Sequence, residues 1–470
     1  MTAVAAIDLG ATSGRVMVGQ VGRDELAIRQ VARFYNGAVR EADGLHWNTK
    51  SLYAYALEGL RAANAWDSAI ASVAVDSWAV DYALLRGEAV RGEPFHYRDE
   101  RTARGVERVH AAVPFAELYA RNGLQFLPFT TLYQLASESA PLDDGTCMLL
   151  IPDLMGFYLT GNRLAETTNA STTGLLNVNT RQWDTDLMRR LSLPPSLLPQ
   201  LVEPGASVGP ILASVAEATG LAPATPVTAV GSHDTASAVV GTPMVEPGGA
   251  YISCGTWGLV GVETERPVLT VAAREANFTN EGGVDGRTRF LHNVMGLWLL
   301  SESIREWELD GTRIDIERLV AEAAAVATPI AVFDANDPRF LAPGDMPARI
   351  AQWCAENGQP VPQSRAEFAR SIIESLAYAF AEAVRKASEL SGKDVHRIHM
   401  VGGGALNELL CQRTADHAHM PVIAGPVEAT AIGNVLIQGR AIGATSGTLE
   451  SLRDLVRRTF APQLYEPRGV

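Results

Sequence analysis

The sequence opens on an apolar run and a glycine-rich turn, Val4-Ala5-Ala6-Ile7-Asp8-Leu9-Gly10-Ala11-Thr12-Ser13-Gly14-Arg15. Residues 4–9 and residues 15–21 each have the composition of a strand, and the residues between them are typical of a tight turn. The stretch therefore predicts a β-hairpin. A turn rich in Gly, Ser and Thr exposes backbone N–H groups and hydroxyls, which together can bind phosphate oxygens.

The same design recurs about 245 residues later, in residues 249–263, where two apolar runs flank the turn Gly255-Thr256-Trp257-Gly258. Residues 227–235 and residues 397–407 form a second matching pair, because each predicts a strand, a loop and the start of a helix. A repeat of this length is too long for a solenoid. It predicts two homologous lobes that arose by internal duplication.

The boundary between these lobes is predicted in residues 241–249, which are rich in Pro and Gly. This places one lobe at residues 1–243 and the other at residues 244–470. A chain of 470 residues agrees with two domains, since a single hydrophobic core seldom organises so many residues.

Other segments predict the elements of α/β lobes. Short strands are predicted at residues 72–76 and 81–85, and the small residues of the segment 428–440 predict a closely packed helix. A long helix is predicted to stop near Gly392, because apolar residues recur every four positions before it: Phe368, Ile372, Leu376, Phe380 and Val384.

Composition excludes several classes of function. The net charge of −14 and the pI near 5.2 argue against a surface that collects nucleic acid or anionic lipid. The cysteines lie far apart without a C-x-x-C pair, so neither a zinc site nor a redox dithiol is predicted: Cys147, Cys254, Cys354 and Cys411. With no signal-peptide pattern and no apolar run of about 18 residues, we expect a cytoplasmic protein that spans no membrane.

The first turn carries charged residues at both of its ends. Asp8 can hold a hydrated magnesium ion, Thr12 and Ser13 can donate to phosphate, and Arg15 can offset negative charge. The Walker pattern is missing, because a strand follows the glycines where a P-loop has a helix. A plain β-turn is an equal alternative for this loop alone, and the repeated Gly255-Thr256 turn favours phosphate binding.

Two further motifs allow two interpretations each. Asp234 precedes a predicted helix, so it is either a helix cap or a carboxylate that accepts a hydroxyl proton, with His233 bonding the substrate. Gly402, Gly403 and Gly404 follow a predicted strand. They either let the adenosine of a nucleotide approach the backbone or serve only tight packing of a strand against a helix.

In their order along about 430 residues, four motifs resemble those of the FGGY family of carbohydrate kinases, which share the ATPase fold of actin and hexokinase. They are a first phosphate motif, a catalytic-base motif, a second phosphate motif and an adenosine motif, at residues 8–15, 231–235, 255–258 and 402–407. The resemblance implies an α/β fold of two actin-like (ribonuclease H-like) lobes. It also implies that the active site lies in the cleft between them, with sugar held mainly by the N-terminal lobe and ATP by the C-terminal lobe.

The resemblance further implies that Asp234 takes the proton from the 1-hydroxyl of a ketose, whose oxygen attacks the γ-phosphate of magnesium-bound ATP. Positions that match sugar contacts of the family are Ala79, His233, Thr235 and Asn293. Positions that match nucleotide contacts are Ala11, Thr12, Ser13, Gly14, Arg15, Thr256, Ser301 and Gly403. Asp8 matches the residue that approaches the metal ion.

Six further segments are similar to those of family members that act on L-rhamnulose, which implies L-rhamnulose 1-phosphate as the product: residues 45–47, 75–82, 97–102, 232–238, 253–257 and 293–300. The family commonly has Gly where Ala79 stands and Gln where Ser301 stands. Two alternatives are a kinase for another ketose, such as L-fuculose or a pentulose, and a non-catalytic nucleotide-gated actin-like protein. The pairing of His233 with Asp234 argues against the second. Either a monomer or a homodimer is compatible with the sequence.

Overall fold

The computed structural model describes residues 1–327 and 329–468, and the chain divides into two compact units. The first unit consists of Met1–Val245, Glu263–Phe290 and Ala429–Phe460, and the second of Glu246–Val262, Leu291–Glu428 and Ala461–Val470. The predicted boundary at residues 243/244 falls beside the end of the first of these segments. The first unit also takes in two segments from the second half of the chain, and the binding roles predicted for the two lobes stay predictions.

The strands, in chain order, are β1 (Thr2–Leu9), β2 (Ser13–Val21), β3 (Leu26–Tyr35), β4 (Val39–Glu41), β5 (Gly44–His46), β6 (Ile70–Ser77), β7 (Tyr82–Arg86), β8 (Ala89–Val90), β9 (Thr146–Leu150), β10 (Leu164–Glu166), β11 (Leu176–Asn177), β12 (Gln182–Trp183), β13 (Gln200–Val202), β14 (Ser207–Pro210), β15 (Pro226–Thr228), β16 (Gly249–Cys254), β17 (Trp257–Thr264), β18 (Thr279–Gly282), β19 (Thr288–Met295), β20 (Arg397–Val401), β21 (Val422–Ala424) and β22 (Gln463–Tyr465).

The α-helices, in chain order, are α1 (Thr49–Trp66), α2 (Ala103–Ala112), α3 (Phe115–Asn122), α4 (Thr131–Ala136), α5 (Ile151–Thr160), α6 (Thr167–Ala170), α7 (Thr185–Arg190), α8 (Ala213–Thr219), α9 (Asp234–Val240), α10 (Val271–Glu275), α11 (Trp298–Trp307), α12 (Ile316–Ala324), α13 (Met346–Glu356), α14 (Arg365–Ser391), α15 (Glu408–Ala418), α16 (Ala429–Ala441) and α17 (Leu449–Thr459). Among the residues described, no helix is both long enough and apolar enough to cross a membrane.

The main sheet of the first unit has the strand order β14-β15-β6-β1-β2-β3. The predicted hairpin is confirmed, because β1 pairs antiparallel with β2, and β1 also pairs parallel with β6. In this register Asp8 lies opposite Arg15 on one side and opposite Asp76 on the other. Since residues in register on neighbouring strands point to the same face, three charged side chains meet at one edge of the sheet.

The second unit repeats this arrangement with strands paired in the order β19-β17-β16-β20-β21-β22. The second predicted hairpin is confirmed, since β16 pairs antiparallel with β17 and parallel with β20. A hairpin beside a parallel strand thus occurs in both units, as expected for an internal duplication. The predicted long helix is also confirmed as α14, which is followed by Gly392 in the left-handed conformation, with φ 70°.

The helix α16 lies in the first unit, where it contacts β1, β2, β6 and α9. Its apolar residues, among them Ile432 and Val435, share a buried cluster with Val4 and Val240. A Cβ atom added at Gly433 would lie 1.9 Å from the backbone oxygen of Ser237 in α9. The prediction of a closely packed small-residue helix is therefore confirmed.

We expect Gly433→Ala to lower the free energy of unfolding by about 1–3 kcal/mol, because the new methyl must displace the backbone of α9. Gly156→Ala is the matched control. Gly156 also lies inside a helix, but its added Cβ would meet only Val208, at 3.8 Å. That change should leave stability unchanged or raise it by up to about 1 kcal/mol. Urea unfolding of both variants measures the difference, and equal effects would contradict the packing argument.

Candidate active site

A group of carboxylates lies at the edge of the first unit's sheet. Asp76 is completely buried, and Asp8 has a relative exposure of only 4%. Burial raises the pKa of Asp76 well above its usual range, and the charges of Asp8 and Asp234 raise it further. Arg15 opposes this effect, and its Nε lies 3.3 Å from Asp8 Oδ2. The fold thus brings together two residues that the sequence singled out, Asp8 and Asp234, and one whose role it missed, Asp76.

A helix from the far end of the chain completes this group. Asn434 of α16 donates its amide to Asp76 Oδ2 at 2.5 Å, and Gln438 donates to Asn434 Oδ1 at 2.7 Å and to the backbone oxygen of Ala5 at 3.0 Å. Asp76 Oδ1 is buried and has no hydrogen-bond partner among the described residues. An unpartnered carboxylate oxygen beside other carboxylates is what a hard divalent cation such as Mg²⁺ prefers. The residues present therefore fit a magnesium ion.

The turn that joins β1 to β2 is held by one buried side chain. Asn36 donates its side-chain amide to Gly10 O at 2.7 Å and its backbone N–H to Thr12 O at 3.2 Å. Thr12 is exposed, and Ala11 and Ser13 are half-buried. Gly14 is buried, and an added Cβ would lie 2.2 Å from the Phe34 ring. Asn36 and Phe34 therefore fix the buried side of the turn, while Thr12 stays accessible to solvent.

The segment that carries Asp234 does not have the geometry of a helix cap. His233 occupies the N-cap position of α9 without a side-chain capping bond, and Asp234 is the first residue of the helix. The capping interpretation of Asp234 is therefore wrong, because the helix begins at Asp234 itself, one residue earlier than a cap at Asp234 requires. Asp234 Oδ1 accepts a hydrogen bond from Thr235 at 3.1 Å and lies 3.4 Å from His233 Nε2. Its side chain is 30% exposed, so it can meet a ligand.

A buried acid that the sequence did not indicate anchors this segment. Glu166 has a relative exposure of 2% and accepts hydrogen bonds from the backbone N–H and the hydroxyl of Ser232, at 2.9 and 2.7 Å. Thr168 donates to it through both its backbone N–H and its hydroxyl, at 2.8 and 2.6 Å. Ser77, at the end of β6, donates its N–H to Ser232 O at 2.9 Å. The residue two positions before Asp234 is therefore fixed from two sides.

His233 contacts two more charged residues that the sequence did not indicate. Arg289 Nη2 lies 3.0 Å from His233 Nδ1, and Glu281 Oε2 lies 3.3 Å from the same atom. Both side chains are buried, with relative exposures of 0% for Arg289 and 6% for Glu281. The imidazole is therefore held on the side that faces away from Asp234.

Ala79 lies in a tight turn just after β6. The backbone N–H of Asp81 donates to Ala79 O at 2.9 Å, and the residue between them, Val80, has a φ of 67°. This left-handed conformation is strained for a β-branched residue. Thr131 stabilises it by donating its hydroxyl to Val80 O at 2.7 Å.

The carboxylate of Asp81 fixes this turn from inside the protein. Asp81 Oδ2 accepts from the indole N–H groups of Trp47 at 2.6 Å and Trp78 at 3.1 Å, and from the backbone N–H of Tyr97 at 3.1 Å. Its other oxygen accepts from Gln134 at 2.8 Å. Burial raises the pKa of Asp81 to about 6, although these donors act to lower it. Within the described part of the chain, a buried carboxylate whose partners are all N–H groups thus anchors the turn that contains Ala79.

In the second unit, two glycine-rich segments lie against each other. A Cβ atom added at Gly402 would lie 2.8 Å from Cys254 O, and one added at Gly404 would lie 2.4 Å from Cys254 Sγ. Gly402 also has a φ of 81°. Tight packing therefore accounts for these two glycines. Gly403, between them, is exposed and its added Cβ would meet nothing closer than 3.9 Å.

The remaining predicted positions of the second unit are Thr256 in the turn between β16 and β17, Ser301 on α11 and Asn293 on β19. Leu297 donates its N–H to Gly255 O at 2.9 Å, and the N–H of Trp298 reaches Thr256 O at 3.3 Å. Ser301 is exposed one turn further along α11, where its N–H bonds Leu297 O at 2.9 Å. Leu297 thus links these segments, because it bonds Gly255 and Ser301 and its side chain lies 3.9 Å from the Cβ position of Gly403. Asn293 is half-buried on β19.

Comparison with protein families defines the class of protein that carries these features. Residues 3–241 match the N-terminal domain of the FGGY family of carbohydrate kinases. Residues 250–442 match the C-terminal domain of the same family. The chain therefore belongs to the FGGY family and is a carbohydrate kinase.

Among individual relatives, the chain is 41% identical to the rhamnulokinase of Pectobacterium atrosepticum, over 99% of this chain and 93% of that protein. It is 37% identical to the rhamnulokinase of Bacillus subtilis, over 99% of this chain and 95% of that protein. The similarity to family members that act on L-rhamnulose, noted above for six short segments, thus extends over nearly the whole chain.

Solved structures confirm the fold. A xylulose kinase from Lactobacillus acidophilus matches with a TM-score of 0.79 and 16% identity, over 100% of this chain and 94% of that chain. The glycerol kinase of Plasmodium falciparum with ADP also matches with a TM-score of 0.79 and 16% identity, over 100% and 95% of the two chains. The predicted α/β, actin-like fold class is therefore confirmed.

We expect the tryptophan fluorescence of the native protein to change with a midpoint near pH 6, because Asp81 has a pKa of about 6 and bonds two indole N–H groups. The variant Asp81→Asn should lack this transition.

Since the pKa of Asp81 in the folded state is raised, the contribution of Asp81 to stability should fall as the pH rises from about 4 to about 6. The free energy of unfolding of wild type, relative to that of Asp81→Asn, should therefore be higher near pH 4 than above pH 6. An identical fluorescence titration in both proteins would contradict the assignment.

Proposed function

We propose that this carbohydrate kinase transfers the γ-phosphoryl group of ATP to the 1-hydroxyl of L-rhamnulose, giving L-rhamnulose 1-phosphate and ADP. The observation that carries the proposal is the accessible carboxylate of Asp234, which lies 3.4 Å from His233 Nε2 in a segment anchored by Glu166. Such a carboxylate can accept the proton of a sugar hydroxyl. The choice of L-rhamnulose is supported by relatives of 41% and 37% identity that are rhamnulokinases.

Phosphoryl transfer asks the protein mainly for alignment and for compensation of charge. Asp234 accepts the proton of the 1-hydroxyl while that oxygen forms the bond to phosphorus and the bond from phosphorus to ADP breaks. Asp8 and Asp76 are the residues that would hold magnesium. When bound, this ion offsets the negative charge of the phosphates. Arg15 adds a positive charge at the same edge of the sheet.

The binding roles of the other residues are part of the proposal. For the sugar these are Ala79, His233, Thr235 and Asn293. For ATP they are Ala11, Thr12, Ser13, Gly14, Arg15, Thr256, Ser301 and Gly403. Because Gly14 is buried against Phe34, only its backbone is offered to a phosphate. Ser301 is shorter than the Gln common at its position, so its contact with ATP is the weakest of these assignments. We also propose that the enzyme works in the cytoplasm, where ATP is available.

A panel of ketoses tests the choice of substrate. With ATP and magnesium, we expect kcat/KM for L-rhamnulose to exceed that for L-fuculose and for pentuloses by about tenfold or more, because misplaced hydroxyls leave polar groups of the site unpaired. Release of ADP is the measurement, with ATP alone as the control. A higher kcat/KM for L-fuculose or a pentulose would overturn the choice of ketose. ADP release that no ketose accelerates would favour the nucleotide-gated alternative.

A substitution tests the base. We expect Asp234→Asn to lower kcat by about 10²–10⁴-fold, the usual contribution of a general base, while the dissociation constant for L-rhamnulose from calorimetry changes little. The control is Asp67→Asn, which changes a half-buried aspartate of the same unit whose carboxylate accepts a hydrogen bond from the N–H of Ala69 at 2.9 Å. A turnover number for Asp234→Asn close to that of the control would contradict the assignment of the base.

A further inference from the structure

The ring of His233 has a charged or polar partner at each nitrogen. Nε2 lies 3.4 Å from Asp234 Oδ1, whereas Nδ1 lies 3.0 Å from Arg289 Nη2 and 3.3 Å from Glu281 Oε2. The imidazole is almost fully buried, with a relative exposure of 5%. Its hydrogen-bonding state is therefore decided by these three neighbours.

The hydrogen bond with Arg289, the shorter of the two contacts at Nδ1, selects the arrangement of hydrogens on the ring. A guanidinium has N–H donors and no acceptor, so Nδ1 must present its lone pair to Arg289. The same Nη2 forms an ion pair with Glu281 Oε2, which is 3.1 Å away. An imidazole that accepts at Nδ1 carries its proton on Nε2. His233 therefore presents an N–H group on the side of Asp234.

The guanidinium itself is held in place by the strands that carry it. Arg289 on β19 donates from Nε to Gly282 O at 2.9 Å, and Glu281 and Gly282 both belong to β18. Arg289 Nη1 is buried without a hydrogen-bond partner among the described residues. A purely structural buried arginine would be expected to satisfy all of its donors. This side chain instead leaves one donor unsatisfied while it holds His233.

We propose that Arg289, held by Glu281, is a positioning residue that fixes the Nε2–H tautomer of His233. The inference rests on the proposed function, because it concerns the hydroxyl that Asp234 deprotonates. A hydroxyl that accepts a hydrogen bond from Nε2–H directs its own proton to the carboxylate of Asp234. In the opposite tautomer Nε2 would be an acceptor, and it would compete with Asp234 for that proton. Arg289 thus determines which of the two groups acts as the base.

Nuclear magnetic resonance of protein labelled with ¹⁵N-histidine tests the tautomer without any substrate. The chain has nine histidines, and the signal of His233 is assigned from its loss in His233→Asn. We expect the protonated ring nitrogen to be Nε2 in wild type, and we expect a mixture of tautomers or the charged ring in Arg289→Gln. A proton on Nδ1 of wild-type His233 would overturn the proposal without the need for any variant of Arg289.

The matched control for Arg289→Gln is Arg287→Gln. Arg287 precedes β19 and pairs with Glu263 at 3.2 Å and with Glu450, so its loss removes an arginine charge without touching His233. The control should leave the His233 signal unchanged. The same change of signal in both variants would overturn the assignment to Arg289.

Kinetics test whether Arg289 acts through His233. We expect Arg289→Gln to lower kcat/KM for L-rhamnulose by about 10²-fold, below the loss of about 10⁴-fold seen where a catalytic histidine is held in the wrong tautomer. KM for ATP should not change. In a His233→Asn background the same substitution should cost less than about twofold, since the group through which it acts is gone. Losses that simply multiply would overturn the proposal.

Glu281→Gln gives a second route if Arg289→Gln does not fold. It should shift the His233 tautomer in the same direction but less, because Arg289 keeps its bond to Gly282, and an unchanged tautomer would count against the role of Glu281. The two proposals fail separately. An Nε2–H tautomer that depends on Arg289, in a protein that phosphorylates no ketose, would contradict the proposed function and leave the positioning assignment standing.

Discussion

The constraint on which the first unit depends is the placement of several carboxylates at one edge of a sheet. The parallel register of β1 and β6 sets Asp8 opposite Asp76, and burial together with like charges raises the pKa of Asp76. Carboxylates so close together repel one another and remain together only where the surrounding structure compensates them. The compensation here comes from Arg15 and Asn434, and a divalent cation would complete it.

This constraint explains why the first unit draws on distant parts of the chain. The amide that Asp76 needs is carried by α16, and that helix can lie against the sheet because Gly433 has no side chain to collide with α9. The segment that carries Asp234 is anchored in a similar way, since Glu166 binds Ser232, which lies 66 positions away in the sequence. A site of opposed charges is therefore built from segments that only the complete fold brings together.

The sequence predicts what local pattern determines. Both hairpins and the helix α14 follow from apolar periodicity and turn residues, and they are confirmed. The contact of Asn434 with Asp76 joins positions 358 residues apart, and no local pattern indicates it. The left-handed conformation of Val80 between the two predicted strands is not indicated either, because a β-branched residue rarely takes a positive φ. Asp234 was open to a capping role because Asp is a common cap, and only the observed start of α9 excludes it.

Ala79 stands where the family commonly has glycine, and the structure shows that the backbone does not require glycine there. A glycine is required where the backbone takes a positive φ, but in this turn that conformation belongs to Val80 and not to Ala79. The turn is imposed by Asp81 and Thr131, so the methyl group of Ala79 places no strain on the backbone. Its effect is confined to the space that the turn offers a ligand. If Ala79 contacts the sugar as proposed, position 79 alters the fit of the sugar without disturbing the carboxylates, whose arrangement is set by β1, β6 and α16.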